Sequence, residues 1–371
     1  MDVKETPGAV RVRGYPQMFQ AYLIDYDDDL FDVSQLTKQC IDDILSPIGA
    51  YLQINQLRSE QEVIDLALDA DLILIQSLRP LLTGPVISNL DRCRGIIRSG
   101  LGYDTIDIPV ATQKGIPVSN VVGWCDHEVA EHALALMLDC IRNLTQVNTS
   151  IRRGLWDRRG AATNTRLFGK TLGIIGFGQI GRLLSQKATS LGLHVIACDP
   201  FLAPDVFDIY GVQSADLDSL LSECDIISLH IPLNKGTYGL LDCKALAQVK
   251  TGAIIINTSR GDVIDEAALV EAVSHGKVGA VGLDVFWEEP LRTDHPLLAF
   301  DNVMTSPHIA SYSREAVDEL YKRSAIIARD LLSHIWVPTI VNPQVRELAE
   351  SRWGPYQDPS NNSHTHNDTC S

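Results

Sequence analysis

Three side chains able to bind anions or transfer protons follow apolar runs in the second half of the chain. Arg260, Glu289 and His308 end or closely follow the segments IIINTSR, GLDVFWEE and VMTSPH. Runs of this kind predict buried strands of a parallel sheet, and ligands bind such sheets outside the carboxyl ends of the strands. We therefore expect the three side chains to converge at one edge of a sheet.

These residue types suit hydride transfer to a 2-oxo acid. An arginine binds a carboxylate through two hydrogen bonds and polarises the adjacent carbonyl, while a histidine protonates the new alkoxide. A carboxylate beside the histidine favours its charged form. Taken singly, Arg260 could be a surface residue in a salt bridge, Glu289 a solvated acid and His308 a core histidine. Their shared position at strand ends favours catalysis.

A glycine-rich turn earlier in the chain predicts a dinucleotide site. The sequence GFGQIG at 176–181 follows the apolar run 172–175 and opens the predicted helix 180–190. Gly176 permits a tight turn, Gly178 lets a pyrophosphate approach the backbone, and Gly181 allows close helix–strand packing. Free N–H groups at the helix start, around Gln179 and Ile180, can bind the anion.

An acid placed after the next predicted strand indicates which dinucleotide binds. Asp199 lies 23 residues after Gly176, where a carboxylate accepts hydrogen bonds from the ribose hydroxyls. A carboxylate repels a 2′-phosphate, and residues 200–202 supply no cation. The expected cofactor is NAD rather than NADP.

Composition narrows the class of protein. The 371 residues are 45% apolar and 21% charged, with a net charge of −16, which argues against disorder and against a basic nucleic-acid surface. Eight cysteines without a C-x-x-C pair are typical of a reduced, cytoplasmic protein. Residues 1–20 lack an apolar signal core, and the longest apolar stretch, 133–138, is too short to span a bilayer. We expect a soluble cytoplasmic protein.

Alternating apolar and amphipathic segments predict an α/β fold with two doubly wound, Rossmann-like parallel sheets. A first series spans about 21–98 and a second begins at 172. Ser59, with Glu62 three residues later, predicts a capped helix. A helix over 126–143 is apolar on more than one face, which suits either a core helix or a subunit interface. Residues 1–18 and the polar tail 360–371 are expected to be loose.

The segment HEVAEH at 127–132 superficially suggests a zinc helix. Zinc-binding helices place histidines four residues apart on one face, whereas His127 and His132 are five apart. We predict no metal. Glu131 and His132 are instead expected to be buried polar residues at a dimer interface.

Together these segments resemble the D-isomer specific 2-hydroxyacid dehydrogenase family over about residues 20–345. The matching motifs are SGLGYDTID at 99–107, the glycine turn, NTSRG at 257–261, DVFWEEP at 284–290 and SPH at 306–308. Arg260, Glu289 and His308 occupy the catalytic positions of that family. The resemblance implies that Arg98 and the backbone of Gly100, Leu101 and Gly102 bind the substrate carboxylate. It also implies that Thr258, Ser259, Arg260 and Asp284 contact the nicotinamide half of the cofactor.

The resemblance also implies the domain organisation. A discontinuous flavodoxin-like substrate domain, 20–122 plus 313–345, would face an NAD-binding Rossmann domain, 123–312, across a cleft. The helix at 126–143 would be the dimerisation element of a homodimer. Residues 1–19 and 346–371 would be loose termini, with no regulatory domain after 345.

Within the family, the sequence resembles bacterial proteins similar to C-terminal-binding proteins and to phosphoglycerate dehydrogenases. Ser311 stands where the eukaryotic corepressors have tryptophan, so that pocket contact does not carry over. Gln76 stands near a position where phosphoglycerate dehydrogenases often have arginine. Arg79 is the one substitute nearby, which makes a phosphorylated substrate less expected.

The predicted activity is therefore an NAD-dependent interconversion of a 2-oxo acid and a D-2-hydroxy acid. Oxidation of formate or phosphite is an alternative within the same superfamily. Formate dehydrogenases pair the histidine with glutamine, so Glu289 argues against formate. A second alternative is an NAD(H)-sensing, corepressor-like binding protein with vestigial activity. The intact set of Arg260, Glu289 and His308 argues against it.

Overall fold

The computed structural model describes residues 19–24, 35–76, 78–158, 161 and 164–359. The predicted loose leader at 1–18 and tail at 360–371 lie outside the described residues. The chain divides into two compact units, Met1–Val122 with Val317–Ser371, and Gly123–Ala316. This division assigns 313–316 to the second unit and 346–359 to the first, which differs from the predicted boundaries at both places.

Strands and helices alternate along most of the described chain, as the apolar patterning predicts. The strands are β1 (Phe19–Ile24), β2 (Ala50–Asn55), β3 (Leu72–Ile75), β4 (Ile96–Arg98), β5 (Val118–Asn120), β6 (Thr171–Ile175), β7 (His194–Cys198), β8 (Gln213–Ser214), β9 (Ile226–Leu229), β10 (Ala253–Asn257), β11 (Val278–Leu283) and β12 (Val303–Thr305). The α-helices are α1 (Gln35–Leu45), α2 (Glu60–Ala67), α3 (Gly84–Ser88), α4 (Ile108–Gln113), α5 (Asp126–Arg142), α6 (Leu144–Arg152), α7 (Gln179–Ser190), α8 (Pro204–Ile209), α9 (Leu217–Glu223), α10 (Cys243–Gln248), α11 (Glu266–Ser274), α12 (Arg314–Leu332) and α13 (Arg346–Trp353).

The first unit contains a five-stranded parallel sheet in the order β2-β1-β3-β4-β5. All four residues of β3 are buried, as expected for a strand covered on both faces. At the start of α2, Ser59 accepts a hydrogen bond from the Glu62 N–H, and the Glu62 carboxylate accepts from the Ser59 N–H. This confirms the predicted capping box.

The second unit contains a seven-stranded parallel sheet in the order β12-β11-β10-β9-β6-β7-β8. Chain order reverses at β6, because β7 lies on one side of it and β9 on the other. This reversal is the topological switch point at which doubly wound sheets bind ligands. Two parallel-sheet units confirm the predicted α/β class.

The apolar residues of α5 lie largely inside the second unit. Ala130, Ala133, Met137 and Ile141 are buried in its core with residues of β6, β10 and α7. Most of the apolarity of this helix is therefore explained by an ordinary core position. The Glu131 side chain is 61% exposed in the single chain and pairs with Lys187 at 2.8 Å. Its predicted burial at a dimer interface stays a prediction.

The segment after residue 345 is a correction, because α13 is a regular helix rather than a loose terminus. Ala349 is fully buried, and Arg346 bonds to Glu350 at 3.0 Å and Asp358 at 2.7 Å. Its polar sequence hid the helix, since a single buried residue gives little periodic signal.

Within the described residues, no helix is long and apolar enough to cross a membrane. The same part of the chain contains no cluster of three or more histidine, cysteine or acidic side chains arranged to hold a metal ion.

Candidate active site

The three residues singled out for chemistry follow three neighbouring strands of the second sheet. Arg260 follows β10, Glu289 follows β11 and His308 follows β12. The turns after β10 and β11 touch, because a Cβ on Gly261 would lie 2.2 Å from the carbonyl carbon of Phe286. Glycine at 261 therefore permits the approach that brings Arg260 toward the Glu289 segment.

His308 and Glu289 form a hydrogen-bonded pair. Nδ1 of His308 lies 2.7 Å from Oε2 of Glu289, and the two side chains are only 21% and 25% exposed. The other carboxylate oxygen accepts the Phe286 N–H at 2.9 Å. Both carboxylate oxygens of Glu289 are thus held by hydrogen bonds.

The surroundings of Glu289 keep it ionised. Burial alone would raise the pKa of the Glu289 carboxyl, but the hydrogen bond and charge of His308, the Phe286 N–H and the charge of Arg260 together lower it. An ionised carboxylate only accepts hydrogen bonds, so the proton between the two residues belongs to Nδ1 of His308. Nε2 is then the ring nitrogen that can exchange a proton with a ligand.

Asp284 holds the backbone around His308. The carboxylate is 1% exposed, and it accepts the Ser306 hydroxyl at 2.6 Å and the N–H groups of Ile309 and Ala310 at 2.9 and 2.8 Å. Its main-chain carbonyl accepts the His308 N–H at 2.7 Å. These bonds hold His308 at φ +56°, a left-handed conformation uncommon for non-glycine residues. The nicotinamide contact implied for Asp284 remains a prediction.

Asn257 organises the turn that carries Arg260. Its Oδ1 accepts the Ser259 N–H and hydroxyl at 3.0 and 2.7 Å, and its Nδ2 donates to the Arg260 carbonyl at 2.8 Å. One guanidinium nitrogen of Arg260 donates to the Ser259 carbonyl at 2.7 Å. Oγ1 of Thr258 is buried without a hydrogen-bond partner in the described part of the chain. An unsatisfied hydroxyl beside Arg260 fits a polar ligand group.

The glycine turn has the geometry that a dinucleotide needs. Gly176 has φ +91°, and a Cβ there would lie 2.4 Å from the His230 carbonyl oxygen. A Cβ on Gly181 would lie 2.4 Å from the Gly176 carbonyl oxygen, so close packing of α7 requires this glycine. No atom of the described residues lies within 4 Å of the Cβ position of Gly178, chain neighbours and the backbone of the helix aside, which leaves space at the start of α7. The residues present therefore fit a pyrophosphate at the helix N-terminus.

Asp199 lies beside that turn, just after β7. Its two carboxylate oxygens accept the Phe177 N–H at 3.0 Å and the Phe201 N–H at 3.1 Å. Carboxylates have lone pairs to spare after two such bonds, so the side chain can still accept from a ribose hydroxyl. The ribose contact predicted for Asp199 stays a prediction.

His230 is a residue of this region that sequence patterning missed. It follows β9 at the switch point. Its ring Nε2 lies 2.8 Å from Oγ of Ser228, and its main-chain N–H donates to the Ile175 carbonyl. Burial lowers the pKa of His230 to about 4. The available signal was its position at the end of an apolar run next to the glycine turn.

The residues predicted to bind the substrate carboxylate lie in the first unit. Arg98 is 5% exposed and donates to the carbonyls of Ser99 and Ile75 at 2.8 and 3.4 Å. Its side chain therefore stabilises the backbone at the end of β4 and the start of the following loop. The carbonyls of Gly100 and Leu101 accept from the Val121 N–H and from the Asn120 amide. Among the described residues, the N–H groups of Leu101 and Gly102 have no acceptor. These two N–H groups suit an anion.

Gln76 forms a hydrogen bond within the first unit. It is 7% exposed, and its Oε1 accepts the Tyr321 hydroxyl at 2.9 Å. Arg79, the alternative cation for a phosphate, is exposed. Ser311 is partly buried in the second unit.

Comparison with known proteins places this geometry in a family. Residues 134–310 match the NAD binding domain of the D-isomer specific 2-hydroxyacid dehydrogenases. A hydroxypyruvate reductase from Thermotoga maritima is 40% identical over 259 residues, covering 69% of this chain and 83% of its own. A D-3-phosphoglycerate dehydrogenase from Mycobacterium leprae is 38% identical over 274 residues, covering 74% of this chain. That match covers 51% of the Mycobacterium protein, so the chain spans about half the length of the phosphoglycerate dehydrogenases it matches.

Solved structures are similar over most of the chain. A glyoxylate reductase from Paecilomyes thermophila has a TM-score of 0.78 and 29% identity, with 88% of this chain and 99% of that chain covered. A D-lactate dehydrogenase from Aquifex aeolicus, complexed with NAD and lactic acid, has a TM-score of 0.73 and 26% identity, with 84% and 95% covered. From its motifs, its site and these similarities, the chain belongs to the D-isomer specific 2-hydroxyacid dehydrogenase family.

Proposed function

We propose that this protein is an NAD-dependent oxidoreductase that interconverts a 2-oxo acid and a D-2-hydroxy acid. The observation that carries the proposal is the 2.7 Å contact between His308 and the ionised Glu289, with Arg260 on the neighbouring strand end. A histidine with Nδ1 fixed by a carboxylate presents Nε2 as a general acid or base.

NAD(H), when bound at the glycine turn, supplies or accepts the hydride. Arg260 binds the substrate carboxylate and polarises the 2-oxo carbonyl. His308 donates the proton from Nε2 to the carbonyl oxygen during reduction and takes it back during oxidation. Glu289 accepts the Nδ1 hydrogen of His308 and so keeps the imidazole oriented. The N–H groups of Leu101 and Gly102 are proposed carboxylate donors of the first unit.

The substrate class is proposed to be a small, unphosphorylated 2-oxo acid. Gln76 is neutral, and its amide oxygen is occupied by Tyr321, so this position offers no positive charge to a phosphate. By their names, the relatives include enzymes for phosphorylated acids and enzymes for unphosphorylated acids. We base the choice between these two substrate classes on Gln76.

The alternative of an NAD(H)-sensing binding protein has less support. Such a protein needs the glycine turn and Asp199, but it has no need for a histidine–glutamate pair on adjoining strand ends. Five hydrogen bonds hold this part of the site. Glu289 bonds with His308 and Phe286, and the buried Asp284 carboxylate bonds with Ser306, Ile309 and Ala310. Such organisation is expected of a reacting site.

We also propose a homodimer in a reducing, cytoplasmic environment. Leu144, Ile151, Leu155 and Trp156, in and just after α6, expose large apolar side chains that a second copy of the chain could cover. Cysteines from Cys40 to Cys243 are free thiols, as expected where disulfides do not persist. Sedimentation of the purified protein tests the dimer.

A direct assay tests the proposed activity. NADH absorbance is followed with glyoxylate, pyruvate, hydroxypyruvate, phosphohydroxypyruvate and a bulkier 2-oxo acid, and the product is resolved by chiral chromatography. We expect turnover of at least one unphosphorylated acid, with the D product. Tight NADH binding without turnover of any acid would support the sensing alternative. Selective turnover of phosphohydroxypyruvate would contradict the assignment of substrate class.

A further inference from the structure

The helix α5 contacts the His308 loop, residues 306–313, at both ends. Nε2 of His132 lies 2.7 Å from Oγ of Ser306, and Oε1 of Glu128 accepts the Ser313 hydroxyl at 2.8 Å. Glu128 and His132 are four residues apart, so they project from the same face of α5. One helical face therefore reaches the first and the last residue of the loop that carries His308.

The direction of the hydrogen bonds can be assigned at the first contact. The Ser306 hydroxyl has one proton, which it donates to Oδ1 of Asp284 at 2.6 Å. Because that proton is used, Ser306 can only accept from His132, so Nε2 of His132 carries a hydrogen. A continuous chain of donors runs from His132 through Ser306 to the buried carboxylate of Asp284, whose Oδ1 also lies 3.5 Å from Nε2 of His132.

This chain ends on the residue that shapes the His308 backbone. Asp284 accepts the N–H groups of Ile309 and Ala310 and, through its carbonyl, that of His308. The left-handed conformation of His308 persists only where its surroundings impose it. A loss of the His132 contact would leave the Ser306 hydroxyl free to rotate and would loosen one of the three hydrogen bonds to the carboxylate.

The second contact supports the same interpretation independently. Oγ of Ser313 accepts the Ala316 N–H at 2.9 Å, which caps the start of α12, while its proton goes to Glu128. The far end of the His308 loop is thus fixed to α5 and to the next helix.

We propose that His132 is a positioning residue for the reaction, acting through Ser306 and Asp284 to hold His308 in its productive orientation. This inference rests on the proposed function. His132 itself transfers no proton to the substrate.

Kinetics of three variants test the proposal. His132→Phe keeps the ring and removes the donor, Ser306→Ala breaks the chain at its middle, and His132→Gln restores a donor. The matched control is His275→Phe, the same change at an exposed histidine of the second unit. We expect kcat to fall about ten- to a hundredfold in His132→Phe and Ser306→Ala, with the KM for NADH within about twofold.

Two further results separate positioning from a general structural effect. His132→Gln should recover most of the lost kcat, because its amide can donate to Ser306. The double variant His132→Phe/Ser306→Ala should be no slower than the slower single variant, because both changes break the same chain. An unchanged kcat in His132→Phe, multiplying losses in the double variant, or a glutamine variant as slow as the phenylalanine variant would overturn the proposal.

Amide hydrogen exchange provides a readout that does not depend on activity. We expect the Ile309 and Ala310 amides to exchange faster in His132→Phe and Ser306→Ala than in the wild type, while α7 keeps its protection. If the wild type reduced no 2-oxo acid yet these amides were loosened, the proposed function would fail and the positioning role would stand. Unchanged exchange at both amides would reject the positioning role whatever the activity.

Discussion

The Glu289 carboxylate lies 2.7 Å from Nδ1 of His308, although the two residues are separated by 19 positions and follow different strands. The contact exists because β11 and β12 are neighbours and end at the same edge of the sheet. Glu289 is further held by the Phe286 N–H, and the His308 loop by Asp284. Both partners are therefore oriented by contacts within the protein.

Glu289→Gln should lower kcat by about a hundredfold, which is within the usual range for disrupted acid–base catalysis. Glutamine is similar in shape, but its amide has one acceptor oxygen and cannot accept both from Nδ1 of His308 and from the Phe286 N–H. The matched control is Glu288→Gln at the adjacent, exposed position. Steady-state rates with saturating NADH measure the effect. Equal rates for the two variants would argue against a catalytic role for Glu289.

The stability of the protein should depend on pH through the same carboxyl. The folded-state pKa of Glu289 is lowered, so the unfolded chain takes up this proton first as pH falls. The stabilisation is present above the ordinary glutamate pKa of about 4.3 and is lost as pH falls through the folded value. Wild type should therefore exceed Glu289→Gln in urea midpoint at pH 7, with a smaller difference near pH 4. A difference that grows on acidification would contradict the sign assigned here.

Two glycines of the turn should respond differently to alanine. A Cβ on Gly181 would lie 2.4 Å from the Gly176 carbonyl, so Gly181→Ala should destabilise the protein by about 1–3 kcal/mol, as overpacking does. Gly178 has open space, so Gly178→Ala should keep its melting temperature and weaken NADH binding at least tenfold. Thermal unfolding and fluorescence titration with NADH measure the two effects. Unchanged NADH affinity in Gly178→Ala would exclude a pyrophosphate at this position.

Asp199 should determine the preference for NADH over NADPH. Its carboxylate is held beside the turn by the Phe177 and Phe201 N–H groups, where it would repel a 2′-phosphate. We expect wild type to favour NADH by at least about tenfold, a difference of roughly 1.4 kcal/mol, and Asp199→Ala to lose most of that preference. Dissociation constants for both cofactors provide the measurement. A wild-type preference for NADPH would refute the role of this carboxylate.

Sequence patterning predicted the features that depend on local order. The apolar runs of β3 and β10, the capping box of Ser59 and the glycine turn each need only a few adjacent residues. The shared position of Arg260, Glu289 and His308 was also predicted, because the carboxyl ends of parallel strands lie at one edge of the sheet. The sequence alone therefore predicts two parallel-sheet units and the family resemblance.

Features that depend on distant pairs were not accessible. His132 and Ser306 are 174 positions apart, and nothing near either residue indicates the contact. Glu131 and Lys187 are 56 positions apart, and their ion pair at 2.8 Å is equally absent from the local sequence pattern. The helix α13 has no apolar stripe to indicate it in the sequence, because Ala349 is its one buried residue. The charge of Arg98 is evident from the sequence. Its hydrogen bonds to backbone carbonyls are not.

The most direct test of the account compares turnover and NADH binding in His308→Ala. Wild type and variant are assayed with the best 2-oxo acid under saturating NADH, and the dissociation constant for NADH is measured on the same preparations. We expect a loss of kcat of at least about a hundredfold with the NADH dissociation constant within about threefold. Turnover that survives the substitution, or a parallel loss of NADH binding, would contradict the assignment of His308 as the acid–base residue.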